Sequence, residues 1–130
     1  MRKVIFTDKA PLPIGPYSQA VQCGSMLYLS GQIPVDPASG ELVESDISLQ
    51  TEQVFKNIVA VLEAEKVTLE HVVKTTVFLS DFVNFAKMNK IYGDYFGETN
   101  APARSTVEVA ALPLGSLVEI EVIADLSHAT

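Results

Sequence analysis

Residues 72–109 read VVKTTVFLSDFVNFAKMNKIYGDYFGETNAPARSTVEV, and the changes of pattern along them decide the fold. Val72 to Leu79 is rich in β-branched side chains, which suit a pleated, half-buried surface, so a strand buried on at least one face is expected here. Asp81 can cap a helix that runs through Phe96, and Gly97 can adopt the left-handed conformation that ends it. Arg104 to Val109 returns to strand composition. Within the helix, Phe82, Phe85, Tyr92 and Phe96 fall on one stripe with Asn89 in its middle. Burying an unpartnered amide costs roughly 1 to 3 kcal/mol. Asn89 therefore needs a partner, either a backbone carbonyl in the core or a group in a site.

Upstream, residues 3–6, 18–23 and 26–30 read as short strands, the last two joined through Gly24-Ser25, which suits a tight hairpin turn. The loop APLPIGPYS before the second strand is stiffened by Pro11, Pro13 and Pro16, and VDPASGEL after the third is rich in turn formers and expected as exposed loop. From Ser48 to about Lys66, Val54, Ile58, Val61 and Leu62 recur at helical spacing, with Asp46, Ser48 and Glu52 suited to the positive N-terminal end. Leu117 to Asp125 supplies a last strand. Three strands, helix, strand, helix and two strands predict a single α+β domain over residues 1–130, one mixed sheet with both helices on one face.

Alternation then sorts the side chains. Val73, Thr75, Val77, Val107, Val118 and Ile120 are expected beneath the helices, and Lys74, Phe78, Arg104, Thr106, Glu108, Glu119 and Glu121 on the opposite face. A hairpin through AALPLGS would set Thr106 opposite Glu119 and Arg104 opposite Glu121, so that one cation and two carboxylates share a patch. Such a patch is either a cross-strand ion pair or a site. Two glutamates on one face, partly buried, should raise at least one carboxylate pKa, against the pull of the arginine. The mixture of apolar and charged groups on that face predicts burial against identical subunits.

The 130 residues carry a formal charge of −7, a pI near 4.7 and a hydrophobic fraction of 48%. Acidity argues against a nucleic acid or an anionic membrane as partner, and the apolar content favours self-association. No stretch reaches membrane-span length and no apolar run of signal-peptide length follows Met1, so a cytoplasmic protein, or a matrix protein without its targeting segment, is expected. Cys23 is the only cysteine and reads as a small core residue; with only His71 and His128 beside it, no zinc set is expected. Both histidines read as surface residues and Lys74 as a paired or solvated charge, and nothing brings His71 to Cys23 as a catalytic base. Motifs for a dinucleotide, a nucleoside triphosphate or a hydrolase elbow are absent.

GPYSQA at 15–20, SGQIP at 30–34, NAPARSTVEVAALP at 100–113 and VEIEVIA at 118–124 closely resemble the Rid family, also called YjgF, of reactive intermediate deaminases, and the likeness runs essentially end to end. The resemblance implies a chorismate-mutase-like α+β fold and a homotrimer with active sites in clefts between subunits. It also implies cofactor-free hydrolysis, without metal, of 2-imino acids derived from 2-aminoacrylate and 2-aminocrotonate, giving 2-keto acids and ammonia. By position, Arg104 matches the arginine that binds the substrate carboxylate, and Glu119 the glutamate that activates or positions water. Ser30 and Gly31 match the segment lining the pocket, Tyr17 the aromatic of the GPY loop, and Asn89 a polar residue near the cleft. Thr106 stands where many members have cysteine, which excludes a thiol role at that position.

Overall fold

The computed structural model describes residues 2–127. Strands β1 (Arg2–Ile5), β2 (Ala20–Cys23) and β3 (Met26–Gln32) precede a small hairpin, β4 (Val35–Asp36) and β5 (Glu41–Leu42). The segment expected as plain loop is thus paired with itself. Helix α1 (Ile47–Glu63), β6 (Val72–Leu79), α2 (Phe85–Phe96), β7 (Ala103–Glu108) and β8 (Val118–Asp125) follow. Asp46 accepts from Leu49 N at 3.0 Å and starts α1, while Gly24 takes a φ of 62° in the β2–β3 turn. Asp81 caps a single 3-10 turn, Phe82–Asn84, that leads into α2, and Gly97 ends the helix with a φ of 80°.

One six-stranded sheet runs in the order β1-β2-β3-β8-β6-β7. An α-helix between two strands of a sheet returns the chain to the end where it began, so β6 and β7, joined by α2, run parallel, whereas β8 lies antiparallel to both β3 and β6. The expected hairpin of the last two strands does not form. With β8 on one side of β6, β7 takes the other side and becomes the sheet edge, so β6 separates Arg104 from Glu119 and Glu121.

This order corrects the assignment of faces. Thr75 and Val77 are fully buried beneath the helices, and their parallel neighbours are Arg104 and Thr106, which therefore face the helical side as well. Glu108, opposite the buried Leu79, faces that side and accepts a hydrogen bond from Phe82 N at 2.8 Å. Val107, expected in the core, is 42% exposed on the far face. Val73 is displaced from the core by a register shift between Val72 and Lys74, which turns Val72 inward in its place. Glu119 and Glu121 lie opposite Phe78 and Thr76 of β6, on the face without helices, as alternation predicts.

The core fills the space between that sheet and the helices. Val54, Phe55, Ile58, Val61 and Leu62 of α1 are completely buried against Leu27, Val77, Leu79 and Ile120 of the sheet and Met88 of α2. Phe55 stacks on Tyr95 at 4.5 Å and meets Tyr92 edge-on at 5.8 Å, tying the two helices together. Cys23 is exposed at the end of β2 and is not a core residue, because the turn at Gly24 ends the strand beside it. Among the described residues no helix is long and apolar enough to cross a membrane.

Candidate active site

At the exposed edge, Arg104 projects from β7 over the first turns of α2. Its guanidinium carbon lies 4.6 Å from the centre of the Tyr92 ring and 5.6 Å from that of Phe85, so the cation rests on two aromatic faces. Nη1 donates to Asn89 Oδ1 at 2.6 Å. The Tyr92 ring is itself held, because its hydroxyl is 2.8 Å from the hydroxyl of Thr75, the residue beside Arg104 in the ladder. Burial raises the Tyr92 phenol above its ordinary pKa, so the ring stays neutral beneath the guanidinium. Phe82 stacks on Phe85 at 5.1 Å and is anchored in turn by Glu108.

Asn89 is exposed, contrary to its reading as a core amide, and its partner is the arginine. The ion-pair reading of Arg104 also fails. Among the described residues the salt bridges are Lys3–Glu65 and Lys90–Asp94, and no carboxylate lies within 4.0 Å of Arg104. An amide oxygen and two ring faces orient the guanidinium without neutralising it. Beside it, on the same side of β7, the Thr106 hydroxyl is buried without a hydrogen-bond partner.

A second group gathers on the opposite face and in the N-terminal loop. Glu119 packs against Gly31, where the β3–β8 register shifts between Leu29 and Gln32; a Cβ at Gly31 would overlap the Glu119 carboxylate. The half-buried carboxyl is pushed above its ordinary pKa, first by loss of solvent and second by Glu121. Ser30 does not present a free hydroxyl: it donates to Ser18 O, and Ser30 N donates to Gln19 O at 2.9 Å, which moors the GPY loop to β3. The Gln19 side chain accepts from Thr7 N at 2.8 Å and donates to Thr7 O and Pro11 O, both at 2.9 Å. Tyr17 is half-exposed, its hydroxyl accepting from Ile14 N at 3.5 Å, and with Gly31 it lines a cavity of about 250 Å³.

Arg104, Asn89 and Thr106 are thus brought together, and Glu119 is brought to Gly31 with Ser30 and Tyr17 nearby, but the two groups lie on opposite faces of the sheet. The roles of Phe85, Tyr92 and Thr75 around the arginine, and of Gln19 in the loop, are not readable from spacing. A threonine inside the apolar VVKTTVFL and a tyrosine inside an aromatic stripe were the available signals. Of the remaining polar residues, His71 Nδ1 accepts from Thr68 N at 3.2 Å and Lys74 Nζ donates to the Ser105 hydroxyl at 3.2 Å; His128 lies outside the described residues. Among the described residues no three His, Cys, Asp or Glu side chains cluster as metal ligands would.

A mixed sheet backed by two helices, with an arginine cradle at one edge and a seated glutamate on the other face, defines a small α+β protein whose candidate polar residues fall into two separate groups. The chain belongs to the Rid (YjgF) family: the family model described as Endoribonuclease L-PSP matches residues 7–126. It is 50% identical over 124 residues to the 2-iminobutanoate/2-iminopropanoate deaminase of Mus musculus, covering 95% of this chain and 91% of the mouse protein. The crystal structure of YyfA, a Rid-family protein from Yersinia pestis, is 56% identical with a TM-score of 0.94, covering 96% of this chain and 99% of that chain. E. coli TdcF, solved with bound serine, is 42% identical with a TM-score of 0.90, covering 96% of this chain and 99% of that chain.

Proposed function

We propose that this chain is a hydrolytic imine deaminase, converting 2-imino acids formed from 2-aminoacrylate and 2-aminocrotonate to 2-keto acids and ammonia, at a site shared between two copies. The observation that carries the reading is Arg104, a cation oriented by Tyr92, Phe85 and Asn89 yet neutralised by no carboxylate among the described residues. Its remaining N–H groups can grip a substrate carboxylate through two parallel charge-assisted hydrogen bonds. The name of the mouse relative and the serine bound to E. coli TdcF support a small molecule of amino-acid type.

Because one sheet separates Arg104 from Glu119, a single copy cannot place both on one small substrate. A second copy that sets its Glu119 and Gly31 face against the first copy's β7 edge completes the site. Contact between two unlike surfaces of the same chain is heterologous, and such contacts close into a ring when the rotation between copies allows it, as in the trimer the family resemblance implies.

In this reading the carboxylate sits on Arg104 and the imine carbon faces a water held by the neighbour's Glu119. As the water oxygen bonds to C2, Glu119 takes its proton and the C=N electron pair moves to nitrogen. Proton transfer to that nitrogen lets the C–N bond break, releasing ammonia as the C2 oxygen becomes the keto group. Every proton moved comes from water or substrate, so side chains alone suffice for the step. Most of the acceleration comes from position, since imines are already electrophilic.

The raised carboxyl of Glu119 has a consequence for stability. Its folded pKa exceeds the unfolded one, so between the two values the native state holds more protons, and stability falls as pH rises through that window. Glu119→Gln should therefore show a higher Tm than wild type at neutral pH, with the difference vanishing below the ordinary carboxylate range. An equal Tm difference at both pH values would show that the carboxyl is not perturbed.

A second reading is a carboxylate-binding module without turnover, favoured by the fact that the Arg104 cradle is complete within one chain and does not require Glu119. Ligand binding by wild type with no keto-acid release, unaffected by Glu119→Gln, would support it. The endoribonuclease of the family's description is disfavoured by the net charge of −7, which repels a phosphate backbone.

A further inference from the structure

Thr75 is an exception in its row. Alternation along β6 turns Thr75, Val77 and Leu79 towards the helices, and all three are completely buried, yet only Thr75 carries a polar side-chain atom. Its hydroxyl lies 2.8 Å from that of Tyr92, itself a buried residue. Such a pair adds little to folding, because replacing both partners with apolar groups of the same shape is close to neutral. Valine and phenylalanine would fill the same space. Core packing therefore does not account for the two hydroxyls.

Their position does. Thr75 is the residue of β6 that sits beside Arg104 of β7, and Tyr92 carries the ring nearer to the guanidinium, at 4.6 Å against 5.6 Å for Phe85. Phe55 meets the Tyr92 ring edge-on at 5.8 Å and Phe96 lies tilted beside it at 4.7 Å. Apolar burial is non-directional and lets a helix slide over a sheet, whereas a hydrogen bond holds a distance and an angle. Asn89, three residues before Tyr92, projects from the same side of α2 and accepts from Nη1. One bond between β6 and α2 thus fixes both the ring and the amide relative to the arginine.

We infer that Thr75 is a positioning residue of the candidate site: through the Tyr92 hydroxyl it sets the seat of the Arg104 guanidinium, and with it the place of the substrate carboxylate. The inference rests on the imine deaminase reading and deepens it, adding a residue that acts from the core. A displacement near 1 Å at a reacting position costs about 10²-fold, so the smaller slack left by losing one bond, with the ring still packed, should cost about tenfold in kcat/KM.

The test follows Tm alongside hydrolysis of 2-iminobutanoate, supplied by a threonine dehydratase and threonine with semicarbazide as competitor. Thr75→Val should lose about tenfold in kcat/KM. Thr75→Ser gives up a buried methyl group but keeps the hydroxyl, and should stay within about threefold of wild type. Thr75→Val/Tyr92→Phe leaves neither hydroxyl unpaired, so its Tm should lie close to wild type while its activity stays as low as that of Thr75→Val. Added to Arg104→Lys, whose ammonium does not lie flat on the ring, Thr75→Val should cost less than about twofold more. A valine variant as active as wild type, a serine variant as slow as the valine one, or activity that recovers with Tm in the double variant overturns the positioning role while leaving the deaminase reading intact. A full tenfold loss on the Arg104→Lys background overturns it too. A wild type no faster than buffer overturns both.

Discussion

Arg104→Lys is expected to lower kcat/KM for 2-iminobutanoate by about 10²- to 10³-fold while leaving the far-UV circular dichroism and Tm near wild type. Lysine keeps the charge but presents a point cation that can neither fork onto a carboxylate nor lie flat on two rings. The guanidinium here is held 4.6 Å from one ring centre and 5.6 Å from another, with Nη1 on Asn89, and all three restraints depend on its planar shape. Losing one or two hydrogen bonds to a charged group, each worth about 1.5–3 kcal/mol, spans about 10- to 10⁴-fold, and the stated range is the middle of that span. The assay couples a threonine dehydratase and threonine to release of 2-oxobutanoate, with semicarbazide as competitor. A wild type no faster than buffer, or a lysine variant as fast as wild type, would contradict the role of Arg104.

Gly31→Ala is expected to be nearly as damaging, for a different reason. Gly31 is not among the positive-φ glycines, so alanine can take its backbone conformation without strain. What alanine cannot do is share space with the Glu119 carboxylate, which packs where its methyl group would be. Either the carboxylate or the strand must shift. A displacement near 1 Å at a reacting position costs about 10²-fold, so kcat should fall by about that factor. If the glycine acts by seating Glu119, Gly31→Ala adds little on a Glu119→Gln background, because both changes remove the same function. Full additivity would instead place the effect of Gly31 elsewhere.

The helices, the three N-terminal strands and the α+β layer are legible because each rests on local pattern: the apolar spacing of Val54, Ile58 and Val61, the cap at Asp46, the turn at Gly24. Strand order is not local. APARSTVEV and LVEIEVIA are close in sequence and suit a hairpin, yet α2 delivers β7 parallel to β6 and leaves no room for β7 beside β8. That one difference moves Arg104 to the helical face, turns Val107 outward and separates the arginine from both glutamates. The core-amide reading of Asn89 fails for a related reason. Helical periodicity places it on the aromatic stripe, but the stripe runs past the edge of the core, where Phe85 and Tyr92 turn from packing residues into a shelf for the guanidinium. The residue types at the candidate site were visible through the family resemblance; their division between two faces was not.

That division makes the central claim, one substrate held by Arg104 of one copy and attacked by water on Glu119 of another, open to a direct test. Arg104→Ala and Glu119→Gln are each expected to be inactive alone. Unfolded together in equal amounts and refolded, they assort at random, and about one site in four receives a wild-type arginine from one chain and a wild-type glutamate from its neighbour. The refolded mixture should regain about a quarter of wild-type 2-iminobutanoate hydrolysis. A mixture that co-assembles yet remains as inactive as its two components would contradict a site shared between copies.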